Sequence, residues 1–161
     1  MANRIPEATL DEVQDILGWT FEEPGLLATA LQAGHGYYDS EPQRCLALVG
    51  DAVIRLLHYH DGIRRLQTAR EISELQSIKG SNRNLAEKGF FLGLDRFLAE
   101  VRESNNAVPV GTKKMATTVE ALIGAVYLDS YRHPTRRNTI DDAGSAAANL
   151  FLFDWPREED Y

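Results

Sequence analysis

The 161-residue chain has a single cysteine, Cys45, which excludes an internal disulfide. A chain of this length can build a core without such staples, and one thiol fits a reducing, intracellular setting. No apolar run reaches the ~18–20 residues that a membrane span requires, so no membrane partner is expected. The start, MANRIPEATLDEV, is polar and acidic, unlike a secretory signal or an Arg-rich transit peptide. There are no repeats and no low-complexity tract, and no stretch alternates with period two for long enough to read as a strand. Basic residues are scarce: 17 Lys and Arg against 24 Asp and Glu leave a formal charge of -7. That excludes a broadly basic nucleic-acid binder, so any phosphate contact must come from a local patch on an acidic body.

What remains is helical periodicity over one domain, residues 1–161. TLDEVQDILGW places Leu10, Val13, Ile16 and Leu17 on one face, with Thr9 and Glu12 spaced as a capping box. A second helix is expected from Pro24, and GHGYYDSEPQ reads as a loop. A third helix should run from Pro42 or Gln43 to about His60 and break at DGIRR. TAREISELQSIKGSNRNLAEKGFFLGL reads as two helices joined at Lys79–Asn82, with Ser81 or Asn82 capping the second and Gly93 closing it. DRFLAEV suggests a short helix and RESNNAVPVGT a loop. KKMATTVEALIGAVYLDS is a long apolar helix with Val119, Leu122, Ile123 and Val126 facing inward. YRHPTRRNTIDD reads as a loop, DAGSAAANLFLF as a last helix, and residues 153–161 as a polar tail. The expected fold class is all-α.

Two acids interrupt the apolar helices: Asp51 in CLALVGDAVIRLL and Glu120 in TTVEALIGAVYLDS. A buried, unpaired carboxylate costs several kcal/mol, so such groups are paired, protonated or bound to a cation. Taken singly, each acid reads equally well as part of a solvated stripe or as the partner of a nearby Arg or Lys. His58 and His60 are two residues apart on different faces, which is poor metal geometry, and Cys45 has no catalytic partner at useful spacing. The basic groups are Arg64–Arg65, Lys79 with Arg83, Lys113–Lys114, and Arg132 with Arg136–Arg137. The default reading of each is a solvated face. As RNA contacts, Lys79, Ser81, Asn82 and Arg83 at the KGSNR helix start come first, because free N–H groups there favour phosphate; Lys113 and Lys114 follow.

Three segments together carry more. LVGDAVIRLL resembles the ribonuclease III family hallmark, N-E-R-L-E-F-L-G-D-A-V-L. MATTVEALIGAVYLDS resembles the family's second motif, L-A-D-x-x-E-A-L-I-G-A-x-Y-L-D, and ISELQSIKGSNRNLAEKGFFLGLDRFL resembles the stretch between them. The resemblance spans about residues 10–152. It implies a dimeric, all-α catalytic domain in which four carboxylates from two helices bind divalent metal ions and cleave double-stranded RNA. Asp51 falls on the family's Asp and Glu120 on its Glu, whereas the remaining two acids fall on Ala47 and Thr117. Two carboxylates balance one Mg²⁺ or Mn²⁺ ion, not two. N-E-R falls on Gln43, Arg44 and Cys45, L-T-H-R-S on LQAGH, and the aromatic before L-G-D on Leu48. The resemblance therefore implies a domain for double-stranded or structured RNA with a degraded metal site and little or no cleavage. Two alternatives stay open: a working endonuclease built on Asp51 and Glu120, and a scaffold subunit of a ribonucleoprotein, which the negative charge favours. The partner subunit is expected to be a second copy, with a heterodimer as the other option. No double-stranded-RNA-binding domain is expected after the last helix, and RNA affinity is expected to be modest and salt-sensitive.

Overall fold

The computed structural model describes residues 5–32, 40–98, 109–133, 135 and 138–155. Among them are seven α-helices, one 3-10 turn and no strand, as the helical periodicity predicts. The helices are α1 (Glu7–Leu17), α2 (Pro24–Ala30), α3 (Glu41–Arg64), α4 (Ala69–Lys79), α5 (Asn82–Phe91), α6 (Thr112–Arg132) and α7 (Thr139–Asn149). The 3-10 turn is Leu94–Phe97. None of these helices is long and apolar enough to cross a membrane.

Helix α6 is the axis of the domain. Met115, Val119, Leu122, Ile123 and Val126 are fully buried, so α6 loses solvent on almost every side. A helix that is apolar nearly all round has to lie inside other helices. Helix α3 packs along it most extensively, with α5, α7 and α2 closing the remaining sides. Helix α3 itself is two-faced: Leu46, Val53, Ile54 and Leu57 are buried, while Leu48, Leu56 and Ile63 face outward. A buried carboxylate locks the segment after α1 onto α6. Asp129 accepts hydrogen bonds from Trp19 Nε1 (3.0 Å) and from the backbone N–H groups of Glu22 (3.0 Å) and Glu23 (2.9 Å).

Several boundaries differ from expectation, each for a local reason. Helix α1 begins at Glu7 after Pro6, so Thr9 lies inside it and caps nothing. Glu12 instead meets Arg96 at 3.4 Å. Ser40 caps α3 by accepting from the Gln43 N–H. The expected break at DGIRR is absent, because α3 continues through Arg64. Asp61 there binds Arg64 (2.6 Å) and Arg65 (2.9 Å), and Gly62 leaves room for Ile72 of α4. Ser81 caps α5 as expected, and Gly93 ends it with φ +67°, a backbone angle that glycine adopts freely. The described part of DRFLAEV is only the 3-10 turn. Helix α7 starts three residues earlier than DAGS, at Thr139 with Asn138 as its cap. Phe153 and Trp155, expected in a polar tail, are buried, and Trp155 Nε1 donates to Asp141 (3.2 Å). His35, Arg136, Arg137 and most of RESNNAVPVGT lie outside the described residues.

Candidate active site

The crossing of α3 and α6 is what brings Asp51 and Glu120 together. A Cβ on Gly50 would land on the Glu120 carbonyl oxygen, and a Cβ on Gly124 would land on the Leu46 carbonyl oxygen. Two glycines, one per helix, therefore let the backbones touch. Asp51 follows Gly50 directly, and Glu120 is the residue Gly50 presses against.

The two acids differ in their surroundings. Asp51 sits at the rim of the buried face of α3, with its side chain 42% exposed. Its Oδ2 accepts from Arg55 Nη2 at 2.9 Å, one turn along the helix. Of the readings open for Asp51 from the sequence, pairing with a nearby Arg is the one found. Glu120 is half-buried, and its carboxyl is raised from 4.5 to about 7, first by burial and then by the nearby negative charge of Asp51. Near neutral pH Glu120 therefore holds its proton about half the time. Ala47 and Thr117, the positions that lack an acid, are both buried in the same helical seam.

Oxygen donors of this kind suit a hard divalent cation that retains several waters. Their combined charge matches a single ion, and Arg55 already offsets part of it. Among the described residues no group of three or more His, Cys, Asp or Glu side chains comes together. Asp51 and Glu120 are the residues at this crossing that could hold such an ion.

The expected RNA contacts lie on two different elements. Ser81 is committed to its cap, accepting from the Asn84 N–H and donating to the Ile78 carbonyl. Arg83 faces Glu87 at 3.1 Å, Asn82 is exposed, and Lys79 is half-buried beside Lys88. Lys113 is exposed and Lys114 half-buried in the first turn of α6. Of the other basic groups, Arg64 and Arg65 are bound to Asp61, and Arg132 to Glu23 (2.7 Å). His58 is buried edge-on against Phe153 (ring centroids 5.0 Å) and its pKa is lowered to about 4, chiefly by burial. That is a core histidine. The sequence reading missed Arg55 and Lys88. Arg55 was visible as the i+4 partner of Asp51.

A family model described as "Ribonuclease III domain" matches residues 44–131, more than half of the chain. The chain belongs to the ribonuclease III family. Asp51, Glu120, Ala47 and Thr117 all lie within the matched segment. Over 129 residues the chain is 30% identical to Ribonuclease 3 of Idiomarina loihiensis, covering 78% of this chain and 56% of that protein. Over 151 residues it is 28% identical to Ribonuclease 3 of Azotobacter vinelandii, covering 91% and 65%. The chain thus spans somewhat over half the length of these ribonuclease III relatives. In three dimensions it resembles the nuclease domain of ribonuclease III from Campylobacter jejuni. In a structure concerned with the region involved in dimer formation, the TM-score is 0.69 at 23% identity, covering 88% of this chain and 94% of that one. A second structure of that domain gives 0.68, covering 98% and 99%.

Proposed function

We propose that this ribonuclease III-type domain binds double-stranded or structured RNA as a dimer and cleaves it weakly or not at all. The observation that carries the reading is the reduced donor set. Asp51 and Glu120 remain, Ala47 and Thr117 offer no carboxylate, and Arg55 already engages Asp51. Asp51 and Glu120 would hold a single Mg²⁺ or Mn²⁺, which when bound supplies a Lewis acid and a more acidic water. For this chain's own residues the requirement is specific: Glu120 has to lose a proton that burial favours, and Arg55 has to share Asp51. Both requirements oppose cation binding at neutral pH.

The dimer rests on the outer face of α3. Leu48 (73% exposed), Leu56 (48%) and Ile63 (68%) form an apolar stripe together with Tyr59. Apolar surface of this kind on a continuous helix face supports burial against a second copy. Phosphate contact would come from Lys79, Asn82, Lys113 and Lys114, without base readout.

A titration of labelled duplex RNA across a salt series tests the binding part. Three lysine–phosphate contacts predict a slope of roughly -3 in log K against log salt. No binding at low salt would overturn the RNA reading and leave the scaffold role. For the metal part, restoring acids by Ala47→Glu with Thr117→Asp should raise Mn²⁺ affinity and cleavage together. If neither changes, the reduced donor set is not what limits the protein.

A further inference from the structure

A cleft of about 300 Å³ opens between the α4–α5 joint and the segment after α7, lined among others by Lys79, Asn84, Lys88, Phe151 and Phe153. Its aromatic wall is unusual. Phe151 has φ +57°, in the left-handed region. It occupies the turn that closes α7, where the Leu152 N–H bonds the Ala147 carbonyl (3.1 Å) and the Phe151 N–H bonds the Ala148 carbonyl (2.9 Å). Glycine normally fills that position, because a Cβ is strained there. Burial does not offset the strain, since Phe151 is 53% exposed. Its ring stands edge-on to Phe91 (centroids 5.8 Å), which is 78% exposed. The fold therefore holds two solvent-facing aromatic rings together on a backbone turn that disfavours one of them.

The cleft also carries positive charge on an acidic protein. Neither Lys79 nor Lys88 is ion-paired among the described residues. The acid at the rim, Asp154, is 99% exposed and faces Arg65 at 3.8 Å. Asn84 Nδ2 donates to the Lys79 carbonyl (2.7 Å), which fixes the amide beside the lysines. The volume lies at the small end of the ~300–1,000 Å³ range of ligand pockets. That is room for a single planar ring and its phosphate, and too little for a helix or a duplex. Exposed rings that accept any base by stacking, next to cations that take the backbone, are the elements of single-strand recognition.

We infer that this cleft binds one unpaired nucleotide of an RNA strand, its base stacked on Phe151 and its phosphate between Lys79 and Lys88. The inference goes beyond duplex binding and does not depend on it. The test is fluorescence anisotropy at low salt with a labelled, short single-stranded oligoadenylate, run beside a blunt RNA duplex. Wild type should bind the oligoadenylate. Phe151→Gly should weaken that binding about tenfold, as expected for loss of one stacking platform, while raising Tm by relieving the turn. Lys88→Glu should weaken it comparably, and Phe151→Gly should leave duplex affinity unchanged. The inference is overturned if wild type ignores the oligoadenylate, or if Phe151→Gly binds it as tightly as wild type. A fall in both Tm and affinity for Phe151→Gly also overturns it, because the ring would then be structural. Failure of the duplex alone, with oligoadenylate binding intact, leaves this inference standing and removes only the duplex reading.

Discussion

Glu120→Gln should stabilise the protein in base and leave it unchanged in acid. The folded state raises the Glu120 carboxyl from 4.5 to about 7, so folding favours its protonated form. Stability from this group is therefore complete below about pH 4.5 and is lost as pH rises through about 7. At 1.36 kcal/mol for each tenfold change in proton affinity, the ceiling is about 3 kcal/mol. Glu120 keeps partial contact with solvent, and screening reduces the expected loss to about 2 kcal/mol. Gln is neutral at every pH and nearly isosteric, so it mimics the protonated acid throughout. Urea unfolding of wild type and variant should coincide near about pH 4 and diverge by about 2 kcal/mol near about pH 8, with the variant the more stable. Other titrating groups are common to both proteins and largely cancel in the difference. In an Asp51→Asn background the divergence should shrink, because the Asp51 charge is the second cause of the shift. A stability difference that does not change with pH would refute the reasoning.

Gly50→Ala should destabilise the fold by about 3 kcal/mol or more, because its Cβ meets the Glu120 carbonyl rather than a flexible side chain; urea unfolding measures this. His58 is lowered to about 4 from 6.5, so the folded state favours neutral imidazole. Its stability is complete above about 6.5 and is lost toward about 4, by up to about 3 kcal/mol. His58→Phe, packed on Phe153, should remove that acid-side loss, as read from unfolding between these limits. Leu48→Glu with Ile63→Glu should convert a dimer to a folded monomer in analytical ultracentrifugation, since both side chains are outward on α3 and support nothing in the core. A dimer that survives both charges would place the interface elsewhere.

Helix α6 was legible because an apolar run with helical spacing on nearly all faces has only one stable home, the centre of a helical domain. The Asp51–Glu120 pairing was legible only through two motifs read together, because nothing local to either acid says what faces it. Pairing of Asp51 with a nearby Arg was among the readings left open by the sequence, and Arg55 at i+4 supplies it. The third helix was expected to break at DGIRR. In the fold, Asp61 binds the two arginines and Gly62 admits Ile72 from another helix, so a tertiary contact decides the helix length. Thr9 and Glu12 have capping-box spacing, but Pro6 starts the helix earlier and Arg96 takes Glu12. The Phe151 cleft was not legible at all: its lysines and its rings come from distant parts of the chain, and the strained φ leaves no mark in the sequence.

The central claim is that two carboxylates out of four leave a domain that holds RNA without efficient cleavage. Incubation of long duplex RNA with the protein in Mg²⁺ and in Mn²⁺, beside Asp51→Asn and Glu120→Gln, tests it most directly. The account predicts no turnover above the level of either variant in both metals. Robust cleavage by wild type that either substitution abolishes would contradict it.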